Sequence, residues 1–346
     1  MVKQVTFAVA GSGKTSTIVD RIEEDTRGLI ITYTDNNTRH LKNKVIAKCG
    51  CIPTGVRIYS YFAFLYSFCY RPIFGAASGV PTQGMNFART LPMKSARSKM
   101  TDKAHWFDDN DRLFSNRLAK LLGKLDEEGE VINRIDHFFD VICIDEVQDF
   151  AANDFNFLCS LINAKADLYL VGDFFQHTFD TSRDGTTNKS LYDDYNNYRS
   201  KLEKEGFEID TESLTRSYRC SPTICRFVDQ NLGINIQSHR QDEVELKLLE
   251  DENEIEEIAA DNSVVKLFYQ NSRSYKGNTD NWGNTKGLDD FRDVCVILNP
   301  KSLTAFNSGT MVDLPPTTKN KLYVACTRAR RNLYFLPERS MEAFKK

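Results

Sequence analysis

The octamer Ala8–Thr15, AVAGSGKT, constrains this chain more than any other stretch, because it lies between the apolar run Val5-Thr6-Phe7 and the helix-forming run Ser16 to Glu24. Strand, glycine loop and helix in that order make a phosphate cradle. Gly11 and Gly13 can take positive φ, so successive N–H groups turn inward at a helix N-terminus. Lys14 then reaches the β- and γ-phosphates as a point charge, and the Thr15 hydroxyl is placed to ligate Mg²⁺. Gly11, Ser12, Gly13, Lys14, Thr15 and Ser16 are the resulting nucleotide-binding set. The usual first glycine of the pattern is Ala8 here. A chance Gly/Ser turn before a helix would look similar, so the reading depends on what else the chain carries.

Bulk properties set bounds. With 346 residues, 41% of them hydrophobic, the chain is long enough for two domains or one large α/β unit. Lys+Arg number 45 against Asp+Glu 48, so any nucleic-acid contact must come from a local basic track rather than a global field. The nine Cys are scattered, several inside apolar runs such as Val141-Ile142-Cys143-Ile144, which implies reduced, buried thiols. Cys49 and Cys51 are too close together, and too lacking in partners, to argue for zinc. No apolar stretch approaches the length that spans a membrane, and the first strand begins too early to leave room for a signal peptide. The expectation is an intracellular, cytoplasmic protein.

Short apolar runs alternate with helical patterns. Strands are predicted at Leu29 to Thr32, Val56 to Tyr59, Val141 to Ile144, Leu168 to Val171, Val264 to Phe268, Val294 to Leu298 and Leu333 to Leu336. That alternation implies parallel sheets with helical crossovers. Composition breaks twice: residues 72 to 110 are irregular and mixed in charge, and 242 to 261 is acidic, with Lys247 its only basic residue.

A second chemical element is Ile142-Cys143-Ile144-Asp145-Glu146-Val147-Gln148-Asp149. An apolar strand ending in adjacent carboxylates puts them at the C-terminal edge of a parallel sheet, where α/β proteins bind ligands. Asp145 can hold Mg²⁺ there, while Glu146 polarises a water for in-line attack on the γ-phosphorus. Alone, such a pair is an ordinary solvated strand end; beside the phosphate loop it gains a role.

From here the order of motifs resembles the UvrD/Rep-like superfamily 1 DNA helicases, in a compact form. Asp145-Glu146-Val147-Gln148-Asp149 is similar to that family's DExQD box and Val171-Gly172-Asp173-Phe174-Phe175-Gln176 to its VGDxxQ box. Ser217-Tyr218-Arg219-Cys220 resembles NYRS, Thr285-Lys286-Gly287-Leu288-Asp289 resembles the KGLE segment, and Leu322 to Arg330 resembles YVAxTRAR. The resemblance implies an α/β fold of two RecA-like P-loop NTPase domains with parallel sheets, 1–211 carrying a small accessory insertion at about 72–130, and 212–346. It implies ATP and Mg²⁺ as cofactors, held at the domain interface, and ATP hydrolysis coupled to movement on single-stranded DNA, 3′ to 5′, with RNA left open as a ligand. Lys14, Glu146, Gln176, Arg219 and Arg328 are its catalytic set, Gln176 reporting on the γ-phosphate and the two arginines acting as fingers. Thr15 and Asp145 hold the metal. Tyr218 stacks on adenine, and Gly287 and Asp289 approach the nucleotide, Asp289 standing where a family Glu reaches the ribose.

For nucleic acid, Tyr33-Thr34 matches the family's aromatic-Thr segment after the second strand, and Tyr59-Ser60-Tyr61-Phe62 the next one, with Phe62 in place of His. Tyr33, Thr34, Ser60 and Tyr61 are therefore the candidate contacts, a buried tyrosine being the bland alternative. The neighbours Phe64, Tyr66, Phe68 and Tyr70 predict an aromatic helix with one core face. Arg89, Lys94, Arg97, Lys99 and Lys103 could follow a phosphate backbone or form a solvated loop.

Several departures from the family stand out. Only seven residues precede Ala8, so the upstream adenine-reading glutamine has no place and base selectivity is expected to relax. Ser16 replaces an arginine, Thr318 an acid, and His177 to Arg183 lacks the family's stacking tryptophan. No room exists between Arg219 and Lys286 for a large second accessory domain. Two functions follow: a minimal DNA translocase or helicase, or an ATP-hydrolysing switch that controls a partner protein without unwinding. Neither involves a membrane.

Overall fold

The computed structural model describes residues 1–75, 82–88, 90–178, 184–288 and 291–346. These divide into two compact units, the first comprising Met1–Thr6, Thr15–Gly172 and Asp180–Asp210, the second Phe7–Lys14, Asp173–Phe179 and Thr211–Lys346. The phosphate loop and the segment after Gly172 thus group with the C-terminal part of the chain. Asp289 and Arg89, together with 179–183 of the tryptophan-less segment, lie outside the described residues.

The main sheet of the first unit contains β1 (Lys3–Ala8), β2 (Gly28–Thr32), β3 (Arg57–Ser60), β4 (Val141–Asp145), β5 (Asp167–Gly172) and β6 (Glu208–Leu214), in the order β3-β2-β4-β5-β1-β6. Pairs β2–β3, β2–β4 and β4–β5 are parallel. β1 lies next to β5 in the sheet, and Leu168 N–H donates to Val2 O at 2.8 Å just before β1. All of β2 is buried, as an apolar run in a covered parallel sheet should be. The C-terminal ends of β2, β3, β4 and β5 therefore fall on one sheet edge, the edge where α/β sheets receive ligands.

Local sequence explains the connections. Thr34 caps the helix Asp35–Cys49 by accepting from Asn37 N–H, and Gly50 ends it at φ 77. The predicted helix from Ser16 to Glu24 forms as Lys14–Asp20, after which Arg21 and Ile22 make tighter turns to Ile18 and Val19 carbonyls. The aromatic helix is π-helical over Phe64–Tyr70, with Phe64, Leu65, Phe68, Cys69 and Tyr70 buried. The region of irregular composition holds short pieces, including a parallel pair of Met85–Asn86 with Leu113–Phe114, followed by the helix Ser115–Leu125.

The second unit is built on its own sheet of β7 (Leu246–Leu248), β8 (Val265–Phe268), β9 (Thr279–Asn281), β10 (Val294–Leu298) and β11 (Leu333–Pro337), in the order β7-β11-β10-β8-β9. Every pair in it is parallel. One face packs on the helices Pro222–Leu232 and Pro316–Cys326 through Ile224, Val228, Leu322 and Ala325, and the other on Ala259, Tyr275 and Met341. Trp282, fully buried, donates its indole N–H to Leu267 O at 2.8 Å, satisfying its one polar atom. The expected α/β class with parallel sheets holds. Among the described residues no helix is long and apolar enough to cross a membrane.

Gly172, the last residue of β5, has no room for a side chain: an added Cβ would lie 2.3 Å from Gln148 Oε1 and 2.5 Å from Val147 Cγ1. Gly172→Ala is expected to destabilise the fold by about 1–3 kcal/mol, the usual cost of overpacking, read as a lowered midpoint in urea unfolding. An unchanged midpoint would show that this edge of the sheet is loosely packed.

Candidate functional site

The phosphate loop has the conformation its composition demands. Gly11 sits at φ 73 and Gly13 at φ 93, the left-handed region that other residues enter only with strain. Ser12 turns inward, its Oγ donating to Val9 O at 2.9 Å. At Gly11 the lack of a side chain is a packing requirement too, since a Cβ would meet Arg219 Cβ at 2.7 Å and Ser217 Oγ at 2.8 Å. Two polar groups of the loop apex are held by residues of the second unit. Gly11 O accepts from Tyr218 N–H at 2.8 Å, and Ala10 N–H donates to Tyr323 Oη, also at 2.8 Å. Lys14 opens the helix Lys14–Asp20 and is half-buried.

Tyr323 occupies the middle of the helix Pro316–Cys326 and is fully buried. Its hydroxyl donates in turn to Asp173 Oδ2 at 2.9 Å. Burial first, and the Asp173 carboxylate second, hold the phenol pKa well above its ordinary range, so the hydroxyl keeps its proton and remains a donor. The same carboxylate oxygen accepts from Gln176 Nε2 at 2.9 Å, and Asp173 Oδ1 from Phe175 N–H at 3.2 Å. Gln176 therefore stands on the same buried carboxylate as the tyrosine that meets the loop.

The two arginines predicted as fingers differ in setting. Arg219 donates from Nη1 to Thr327 O at 3.2 Å, and its backbone N–H is fixed by Ser217 Oγ. Arg328 is 1% exposed and donates from Nε to Val324 O and from Nη1 to Thr285 O and Leu288 O, at 3.2, 3.3 and 2.9 Å. Its guanidinium thus ties down the segment that contains Gly287, itself at φ 79. Tyr218 is 64% exposed and lies flat on His239, with centroids 4.0 Å apart and planes 14° from parallel. An added Cβ on Gly13 would lie 3.9 Å from its Cε2, so the ring stands beside the loop.

In the first unit, Asp145 and Glu146 end β4 as expected, both buried. Glu146 adopts φ 58, an unusual conformation for a glutamate and one typical of functional turns. Its N–H is held by Asp145 Oδ1 at 3.0 Å, and its carboxylate accepts from Gln148 Nε2. The pair is thus oriented and not a frayed strand end. Thr15 is half-buried, and Ser16 is exposed with its hydroxyl accepting from Lys44 Nζ at 3.3 Å.

Of the nucleic-acid candidates Tyr61 is buried, Tyr33 and Ser60 are half-buried and Thr34 is exposed. Tyr61 is 1% exposed and stacks on Tyr33 at 5.6 Å, while Tyr33 Oη donates to Asp154 Oδ2 at 3.2 Å. Thr34 spends its hydroxyl on the helix cap, and Ser60 is half-buried at the start of the turn Tyr61–Ala63. Phe62 instead reaches outward, meeting the exposed Phe87 edge-on at 5.4 Å. Lys94 and Lys103 are paired with Asp109 and Asp111. Sequence reasoning gave no role to Tyr323, His239, Gln148 or Phe87. Only Tyr323 and Gln148 carried a signal, by lying inside motifs.

No family model matches the chain, and no curated protein matches it. Among solved structures it is similar to the PRRSV helicase, at 13% identity and a TM-score of 0.49, over 99% of this chain and 54% of that one. It is also similar to arterivirus nonstructural protein 10 (helicase) in complex with DNA, at 12% identity and 0.48, over 96% and 60%. A further structure of arterivirus nonstructural protein 10 (helicase) gives 12% and 0.46, over 96% and 59%. The chain thus spans between 54% and 60% of the length of these structures.

Tyr218 presents an exposed ring beside the loop, where a base could stack. Tyr218→Ala is expected to weaken ATP binding about tenfold, within the range of one base–aromatic stack, and to leave tripolyphosphate binding unchanged in calorimetry. Equal losses for both ligands would mean that the ring supports the loop and not the base.

Proposed function

We propose that this chain is an ATP hydrolase of the superfamily 1 helicase type, similar to the UvrD/Rep-like enzymes, that couples turnover to movement on single-stranded DNA. The observation that carries the proposal is the phosphate loop with Gly11 and Gly13 at positive φ, joined through Tyr323 and Asp173 to Gln176. A Cβ at Gly11 would collide with Arg219 and Ser217, so the loop keeps this turn only with glycine there. In this reading residues 1–211 and 212–346 are two RecA-like domains.

In hydrolysis the phosphates lie on the N–H groups from Gly11 to Thr15, with Lys14 neutralising the β- and γ-oxygens. Mg²⁺, when bound by the Thr15 hydroxyl and the Asp145 carboxylate, adds positive charge at the same oxygens. Glu146 takes the proton of the attacking water as its oxygen bonds to the γ-phosphorus and the bond to the β-γ bridging oxygen breaks, releasing ADP. Gln148 orients that carboxylate through its amide. Gln176 orients the water, and Arg219 and Arg328 meet the charge on the transferred group once Arg328 exchanges its carbonyl partners for phosphate oxygen. Asp289 is assigned to the ribose by the resemblance of its segment alone. Tyr33, Thr34 and Ser60 meet the strand in this reading, Tyr61 acting from the core behind Tyr33, with 3′ to 5′ polarity. A protein that assembles with this chain and a cytoplasmic setting complete the proposal.

A second reading is an ATP-hydrolysing switch that controls a partner protein without unwinding. The burial of Tyr61 and the use of the Thr34 hydroxyl as a cap favour it, because both remove groups a single strand would need.

Turnover of ATP with and without single-stranded DNA separates these functions. Lys14→Ala and Glu146→Gln are each expected to lower turnover by about a hundredfold or more, the scale of losing a general base or the charge at the phosphates. Glu146→Gln should still bind ATP. DNA-stimulated turnover with strand separation supports the helicase, DNA-indifferent turnover the switch, and undiminished turnover in both variants overturns the site.

A further inference from the structure

Resting on that reading of ATP hydrolysis, we infer that Tyr323 is a positioning residue: its hydroxyl sets the phosphate loop, Gln176 and Arg219 in register with one another. The contacts are continuous. Ala10 N–H donates to Tyr323 Oη at 2.8 Å, and Tyr323 Oη donates to Asp173 Oδ2 at 2.9 Å, where Gln176 Nε2 also arrives at 2.9 Å. One turn further along the helix, Thr327 Oγ1 donates to Tyr323 O at 2.8 Å, and Thr327 O accepts from Arg219 Nη1 at 3.2 Å. One side chain thus touches the loop directly, the glutamine through one carboxylate and the arginine through one helical turn.

Packing alone does not require a hydroxyl at this place. A phenylalanine would fill the same buried volume and keep the edge contact with Phe175 at 6.2 Å. The hydroxyl is what satisfies Ala10 N–H, and a buried amide left without a partner is costly. The bond also limits what the loop can do. With Ala10 N–H on Tyr323 and Gly11 O on Tyr218 N–H, the apex cannot rotate its carbonyl toward phosphate oxygens.

Asp173 gives the arrangement its direction. It is 1% exposed, and its Oδ2 is shared by the tyrosine and the glutamine. A shift of the loop on gaining or losing the γ-phosphate moves Tyr323 Oη, and the shared carboxylate passes that shift to Gln176. Chemistry, more than binding, then depends on the hydroxyl, because Lys14 and the loop amides hold the phosphates whether or not Gln176 is in place.

The test is Tyr323→Phe in the full chain, with ATP turnover and binding of a non-hydrolysable ATP analogue measured side by side. Turnover is expected to fall about tenfold or more, the scale of one hydrogen bond to a charged group, while analogue affinity changes less than about threefold. In the Gln176→Ala background the same change should cost little further, since both act on one step. A lowered unfolding midpoint follows in either case from the stranded Ala10 N–H; a merely structural hydroxyl would lower turnover and analogue affinity together and act additively with Gln176→Ala. Should Tyr323→Phe fail to fold, Asp173→Asn, which keeps the shape but removes the shared charge, carries the same expectation. Turnover that depends on Lys14 yet is unaffected by these changes overturns this inference alone. Absence of any turnover dependent on Lys14 overturns the proposed function, and this inference with it.

Discussion

The second unit depends on a buried hydroxyl. Tyr323 Oη lies between a backbone amide of the phosphate loop and the Asp173 carboxylate, where no water is needed to satisfy any of the three. In a region of low polarity such bonds are strong when complete and costly when broken, so they select one arrangement of the loop over its neighbours. Glycine at position 11 meets a second constraint: Arg219 Cβ and Ser217 Oγ lie so close that only a residue without Cβ can turn there.

The first unit meets a different demand with the same economy. A parallel sheet buried on both faces brings its strand ends to one edge, and the residues that leave that edge must turn sharply. At the end of β4 the turn is made by Glu146 at φ 58, held by Asp145 on one side and Gln148 on the other. Gly172 at the end of the neighbouring β5 leaves the space that Gln148 fills. The strained glutamate, its amide support and the missing side chain are one construction.

Much of this was legible in the sequence. The strands at Val141, Leu168, Val294 and Leu333 appear within a residue or so of their predicted places, because uninterrupted apolar runs have few other uses in a buried parallel sheet. The glycine conformations were legible for the same reason: few residues can take them. Other features were hidden. β6, Glu208–Leu214, carries too many polar residues to stand out, and its partner is β1, far away in the chain. The Ala10–Tyr323 bond joins residues 313 apart, and no local pattern announces such a contact. His239 stacks on Tyr218 without belonging to any motif. The aromatic run after Ser60 was legible as core-facing, but not as π-helical, since that register is set by what the rings pack against.

The central claim is that this loop holds the phosphates of a nucleoside triphosphate. Equilibrium titration of the full chain with a fluorescent, non-hydrolysable ATP analogue in Mg²⁺ tests it most directly, with Lys14→Met as the comparison. Saturable binding of one analogue per chain, displaced by ATP and weakened about tenfold or more when Lys14 loses its charge, is the result expected. Equal affinity in the two proteins, or no saturable binding to the unaltered chain, would contradict it.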